Sequence, residues 1–362
     1  MRTSSRAGTP LPPPRLAIPR GAGLLLISLV FLAGCGPRQI ADETGPQAYY
    51  RTGLPLHDTS RELEAVTRSL KQILFTAEYV TFVFPLDAGI REMDLDDPAV
   101  LERAVERYSD TDTKRGTAVV LARTDERAAL ITNNHVVGFP DRLIRFFDEE
   151  GARMPRAARR VASVSIRTHE LGVIADHANL GPFEVLVRDT INDIAIVEVS
   201  FSGRAGAEDF PPLPVDVGDP RRLSWGSFVY VVGYPLGFPM VTRAVVSDPN
   251  RTRDGGFLTD GLWNEGISGG AILGVRGETG RLEWVGMTRA AAGAWEVSLQ
   301  PRGDEAMDDP DLALLYTGPL FLESNLRVQY GVTHPLSINL LRSFISRNRG
   351  LLRGRGFDVR AY

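Results

Sequence analysis

The chain has 362 residues, 43% hydrophobic and 24% charged, and its 41 Lys and Arg against 45 Asp and Glu leave a net charge of -4. That balance fits a globular fold of one or two domains and excludes a nucleic-acid binder that works through overall positive charge. A single cysteine allows no internal disulfide, so the fold must stand on its core.

Residues 1–20 hold Arg2, Arg6, Arg15 and Arg20 and no acid, and GLLLISLVFLAG follows directly before Cys35. The apolar run is shorter than the roughly 20 residues a helix needs to cross a bilayer, so residues 1–34 read as a secretion signal rather than a span. Leu32, Ala33, Gly34 and Cys35 resemble the lipobox of bacterial lipoproteins. The resemblance implies cleavage before Cys35, lipidation of Cys35 and a place on a bacterial cell-envelope membrane, facing the periplasm or the exterior. Residues 35–58 are polar and rich in Gly, Pro and Thr, the composition of a flexible tether.

In SRELEAVTRSLKQILF the residues Leu63, Val66, Leu70, Ile73 and Leu74 fall at helical spacing, which predicts an N-terminal helix with Ser60 near its cap. AEYVTFVFPL predicts a strand that stops at Pro85. Residues 86–114 read as an inserted surface loop with a short helix after Asp97 and Pro98. The basic stretch RMPRAARR, 153–160, reads as a solvated face. From Gly116 onward TAVVLA, AALITNNHVV, RLIRFF, FEVLVRDT, IAIVEV, FVYVVGY, GGAILGV and LEWVGM follow as short β-rich runs between Gly, Pro and Asp, the pattern of an antiparallel sandwich or barrel.

The densest glycine cluster flanks one serine, in TDGLWNEGISGGAIL, 259–273. Such a stretch suits a surface turn, and equally a loop whose amides converge on an anion beside Ser268. A serine hydroxyl attacks a carbonyl only when a base takes its proton and a carboxylate orients that base. Among His57, His135, His169, His177 and His334, His135 ends a strand-like run, and Asp193 opens the apolar run IAIVEV, where a charge needs a partner or water.

The order His135, Asp193, Ser268 completes a resemblance. ITNNHVV, NDIAIVEV and NEGISGGAIL resemble the three catalytic segments of the chymotrypsin-like serine peptidases, specifically the HtrA/Deg type. FVYVVGYPLGFPMVTRAVVSD is similar to that family's strand and loop beside the site, and YGVTHPLSINLLRSFI to its closing segment and helix. The resemblance implies an all-β fold of two six-stranded antiparallel β-barrels with an N-terminal and a C-terminal helix. The protease domain would span 59–348, with insertions near 86–114, 155–180 and 291–330, and 349–362 would be a C-terminal tail. It implies a serine endopeptidase of cell-envelope proteins in which Ser268 attacks, His135 moves the proton, Asp193 orients His135, and the Gly266 and Ser268 amides form an oxyanion hole.

The resemblance implies no metal or organic cofactor and no nucleic-acid partner; its partners are protein or peptide substrates, with the oligomeric state open. Ile267 stands where the family has a small polar residue and digestive proteases an aspartate, which excludes activation through a salt bridge to a new N-terminus. His135 and Asp193 are 58 positions apart, which implies the insertion near 155–180. Too little chain follows Asn348 for the PDZ domain usual in the family, and the acidic DEAMDDPD within 291–330 reads as a solvated loop. The resemblance places Leu262, six positions before Ser268, at the base of a substrate pocket narrowed by Ala290 and Ala291, which implies a small or medium apolar residue before the scissile bond with Arg289 turned to solvent; Arg289 turned inward would instead select an acidic one. The alternative is a catalytically silent lipoprotein of the same fold that binds a protein partner.

Overall fold

Helix α1 (Ser60–Arg68) opens the fold. The predicted helix ran to Leu74, but the chain leaves it at Ser69, whose hydroxyl contacts the carbonyls of Ala65 and Pro212. It then enters strand β1 (Leu70–Val83). Helical spacing there is overridden by pairing: β1 is hydrogen-bonded on both edges, so local propensity yields to a full ladder. The computed structural model describes residues 48–54, 58–147, 155–201, 204–261, 263–289, 291–301 and 320–359.

Strands β2 (Glu106–Arg123), β3 (Arg127–Thr132), β4 (Arg142–Phe146), β5 (Val161–Ile174), β6 (Glu184–Asp189) and β7 (Ile194–Ser200) complete a seven-stranded sheet in the order β4-β5-β1-β2-β3-β7-β6. A short helix α2 (Arg204–Ala207) leads toward the second sheet. That sheet has nine strands: β8 (Asp216–Val217), β9 (Phe228–Gly233), β10 (Met240–Asp248), β11 (Leu258–Thr259), β12 (Ala271–Val275), β13 (Leu282–Met287), β14 (Ala291–Pro301), β15 (Leu320–Thr333) and β16 (Leu336–Ser337). Helices α3 (Ile338–Arg347) and α4 (Arg349–Gly354) close the chain. The fold is thus the expected all-β pair of curled, almost wholly antiparallel sheets, with seven and nine strands in place of six and six; β8 pairs parallel to β13.

Alternate side chains explain why the central strands read as unbroken apolar runs. On β7, Ala195, Val197 and Val199 enter the core of the first sheet, whereas Ile194 and Ile196 enter a cluster shared with Phe228, Val232, Leu273 and Trp284 of the second. On β12, Ile272 faces the second sheet's own core with Val229, Val231 and Ile267, and Ala271 and Leu273 face the shared cluster. Successive side chains point to opposite faces, and here both faces are covered.

Several segments expected as insertion, tether or tail carry regular structure or core contacts. Residues 106–114 belong to β2 and pair with β1 from Val83↔Glu106 inward, so the surface segment ends before residue 106. Its 3-10 turns carry Asp97 accepting from the Ala99 amide with Pro98 in the first turn, and Phe84, Ile90, Leu95 and Val100 form a satellite core with Val161 and Val164. The 155–180 stretch supplies β5, a central strand between β1 and β4. In the basic stretch, Arg156 pairs with Glu92 through two bonds, at 2.7 and 2.8 Å. Part of the expected tether is fixed: Tyr50 is buried, bridges to Arg276, and donates to Glu283 Oε2 at 2.9 Å, with burial and that carboxylate raising its phenol well above the usual tyrosine range. The expected tail is fixed too, because Leu352, Phe357 and Val359 are buried in the shared cluster. Residues 291–301 and 320–333 pair as a hairpin rather than forming a loop, while the acidic 304–311 lies outside the described residues.

Candidate active site

Antiparallel register brings His135 to Asp193. Thr132, the last residue of β3, pairs with Ala195 near the start of β7, so the turn leaving β3 and the turn entering β7 meet at the same end of the sheet. Asp193 sits in that second turn with φ 60°, a left-handed conformation that aspartate tolerates better than most residues. Its carboxylate is divided between two atoms of one residue: Oδ1 accepts from the His135 backbone amide at 2.8 Å, and Oδ2 lies 2.8 Å from His135 Nδ1. Asn133 donates to the Asp193 carbonyl at 3.0 Å and closes the arrangement from behind. The imidazole is therefore oriented by the carboxylate while its other nitrogen remains available, the His135 side chain being 43% exposed.

Ser268 reaches the same junction from the second sheet. Thr117 on β2 donates its amide to the Ser268 carbonyl at 2.8 Å, its own carbonyl accepts from the Thr132 hydroxyl at 2.7 Å, and its hydroxyl donates to the Gly266 carbonyl at 2.8 Å. One residue thus ties the serine turn to the strand that leads into the His135 turn. The Ser268 hydroxyl donates to the Arg289 carbonyl at 2.8 Å, and no hydrogen bond joins it to His135 in this arrangement. Hydrogen bonds of this kind often tighten only when substrate is bound.

Around Ser268 the glycines have steric reasons. Gly266 has φ 94°, and a Cβ there would lie 2.4 Å from the Tyr234 carbonyl oxygen; Gly269 has φ 91°, and a Cβ would lie 1.9 Å from the Thr117 carbonyl oxygen. No L-residue with a side chain fits either place without displacing backbone. The Glu265 carbonyl accepts from the Leu236 amide at 2.7 Å, which turns the opposite side of that peptide, the Gly266 N–H, away from Leu236. Among the described residues the amides of Gly266 and Ser268 have no acceptor, so both are open to an anion. Ile267, between them, is buried with Trp263 and Ile272, so the turn is anchored through an apolar plug rather than a polar contact. Gly269→Ala should cost roughly 3–5 kcal/mol, read as a loss of roughly 10 °C in Tm; an unchanged melting curve would refute the packing described.

Of the pocket residues read from sequence, Leu262 and Ala290 lie outside the described residues, as does Cys35. Arg289 does not turn fully to solvent: it is half-buried and lines a cavity of about 240 Å³ with Asn192, Arg251, Asp254, His334 and Ser337. Sequence reasoning missed Lys114, whose ammonium donates to the carbonyls of His135 at 3.0 Å and Gly138 at 2.6 Å and lies 4.3 Å from the Phe139 ring centroid. Burial is the main reason its pKa is held below the ordinary lysine value. No local signal marks it, because its partners are backbone carbonyls 21 and 24 positions ahead.

With this geometry in place, likeness to known proteins is informative. Residues 116–287 match the trypsin-like peptidase domain. That span holds His135, Asp193 and Ser268 together with the Gly266 amide. The chain is 27% identical over 173 residues to serine protease Do-like HtrB of Bacillus subtilis (strain 168), which covers 44% of this chain and 30% of that protein. It is also 27% identical over 177 residues to a probable periplasmic serine endoprotease DegP-like of Pseudomonas putida (strain ATCC 700007 / DSM 6899 / JCM 31910 / BCRC 17059 / LMG 24140 / F1), covering 42% of this chain and 37% of that one. The chain therefore spans about a third of the length of these curated relatives. Among solved structures, an HtrA-type protease with tripeptide aligns at TM-score 0.40 and 12% identity, covering 81% of this chain and 64% of its own. The serine endoprotease from Yersinia pestis aligns at TM-score 0.39 and 13% identity, covering 80% and 66% respectively.

Proposed function

We propose that this protein is a serine endopeptidase of the bacterial cell envelope, working through His135, Asp193 and Ser268. The observation that carries the proposal is the Asp193 carboxylate bonded to the backbone amide and to Nδ1 of His135, with Ser268 tied through Thr117 to the same strand end. Ser268 Oγ attacks the scissile carbonyl and His135 Nε2 takes its proton, while Asp193 holds Nδ1 protonated and stabilises the imidazolium. The negative oxygen that develops is received by the Gly266 and Ser268 amides, each worth on the order of 3 kcal/mol to the transition state. His135 then gives the proton to the leaving amine, and water repeats the sequence on the acyl-enzyme.

A fluorophosphonate probe, which reacts with an activated serine hydroxyl, decides between this reading and the silent one. The expected result is a single adduct mapped to Ser268 by mass spectrometry; no adduct, or one elsewhere, supports the partner-binding alternative.

Localisation is part of the same proposal. Lipidated at Cys35, the protein is held at an envelope membrane and faces the periplasm or exterior, in keeping with the periplasmic designation of the Pseudomonas relative. Cys35→Ser should move the protein out of the lipid-labelled membrane fraction, as uncleaved precursor or soluble secreted form. Unchanged lipid labelling and membrane partition would refute the anchor.

A further inference from the structure

We infer that the cavity walled by Arg289, Arg251 and His334 is a substrate subsite for a carboxylate, the side chain of an aspartate or glutamate a few residues from the scissile bond. The inference rests on the peptidase reading for its substrate and on the cavity itself for its chemistry. The cavity of about 240 Å³ adjoins the candidate triad at two points: the Arg289 carbonyl accepts from the Ser268 hydroxyl, and Asn192, on its wall, directly precedes Asp193. A peptide lying across Ser268 therefore passes its mouth.

One cation on its wall is left without a carboxylate partner among the described residues. Arg289 is half-buried and, among the described residues, has no carboxylate partner, an arrangement that stores an unmet demand for an anion. Arg251 is shared with Asp248 at 2.9 Å. His334 feels both guanidinium groups: burial first, then the charges of Arg251 and Arg289, hold it below the ordinary histidine value. Ser337, also on the wall, is the N-cap of the ten-residue helix α3 and accepts from the Asn339 amide, so the positive end of the helix dipole lies at the cavity. One acid, Asp254, stands on the wall, with its carbonyl accepting from the Ser337 hydroxyl at 2.7 Å and Asn339 Nδ2 at 3.0 Å. With Arg251 already paired to Asp248, it is Arg289, which has no carboxylate partner among the described residues, together with the helix N-terminus that favours an anion here, and a planar guanidinium presents paired donors that match a carboxylate. A lysine or arginine of the substrate is repelled from the same place.

The test uses Ser268→Ala protein, which holds a peptide without turning it over, and matched fluorescent peptides that differ only in Glu against Gln at each of several positions about the scissile bond. Anisotropy should show one position where Glu binds roughly tenfold tighter or more, the effect of one good charge-assisted contact. Adding Arg289→Gln should shrink that ratio below about threefold, and Arg289→Glu should turn the preference toward Lys, a gain that misfolding cannot imitate. Equal binding of Glu and Gln peptides at every position overturns the inference, as does an acidic preference indifferent to both Arg289 and Arg251. Fluorophosphonate labelling of the unsubstituted protein separates the two claims. Labelling without an acidic preference removes the subsite alone, whereas an acidic preference without labelling removes the catalytic reading and keeps the subsite.

Discussion

Ser268→Ala should abolish fluorophosphonate labelling and lower kcat for a cleaved peptide by roughly six orders of magnitude, to the rate left by binding and the oxyanion amides. The fold should hardly notice. The hydroxyl makes one hydrogen bond, to the Arg289 carbonyl, while the turn itself is held by its backbone, with the Ser268 carbonyl on the Thr117 amide and the Gly269 amide on the Thr288 carbonyl. Tm should therefore move by no more than about 2 °C. Peptidase activity that survives in the alanine variant would rule out Ser268 as nucleophile; loss of activity accompanied by a large fall in Tm would mean that the hydroxyl is structural.

Asp193→Asn should be nearly as damaging, about four orders of magnitude in kcat with KM little changed, for a reason visible in the bonding. Both carboxylate oxygens are in use: one accepts from the His135 amide and the other faces Nδ1. Asparagine has one oxygen and one NH2. The backbone amide can only donate, so it claims the oxygen, and the NH2 is left against Nδ1. The ring must then accept at Nδ1 and carry its proton on Nε2, the nitrogen that receives the serine proton in the proposed mechanism. Asp193→Ala frees the ring from that tautomer at the expense of its orientation, and the difference between the two variants separates the two contributions. Wild-type rates in Asp193→Asn would show that His135 works without Asp193.

Much of this site is legible in one dimension because each part depends on neighbours in sequence. A glycine that must take φ near 90° beside the Ser268 turn, an aspartate opening the buried run of β7, and a histidine just past β3 all leave marks on their own segments. Short unbroken apolar runs along β7, β9 and β12 likewise announce strands, since their apolar side chains are packed on both faces. The extent of the first helix could not be read the same way. Leu70, Ile73 and Leu74 satisfy helical spacing, yet β1 pairs Leu70 with β2 and Ile73 and Leu74 with both β2 and β5, and that long-range pairing outweighs a propensity difference of under about 1 kcal/mol per residue.

Distance along the chain separates what local pattern settles from what folding adds. Composition, the serine turn and the chain order of His135, Asp193 and Ser268 fix the class of architecture and the candidate chemistry, because turn angles and face alternation are local demands of the backbone. The bonds that make a site of them are between residues remote in sequence: Thr117 joins Gly266, Ser268 and Thr132, and Lys114 holds the carbonyl of His135. The anchoring of Tyr50 on Glu283 and the meeting of Arg251, Arg289 and His334 around one cavity belong to the same kind. Such contacts are made by backbone carbonyls, hydroxyls and charges that any segment can carry, so they leave no pattern on the segments that make them; strand pairing within each sheet, and for Thr117 with Gly266 and Ser268 the packing of one sheet on the other, brings them within reach.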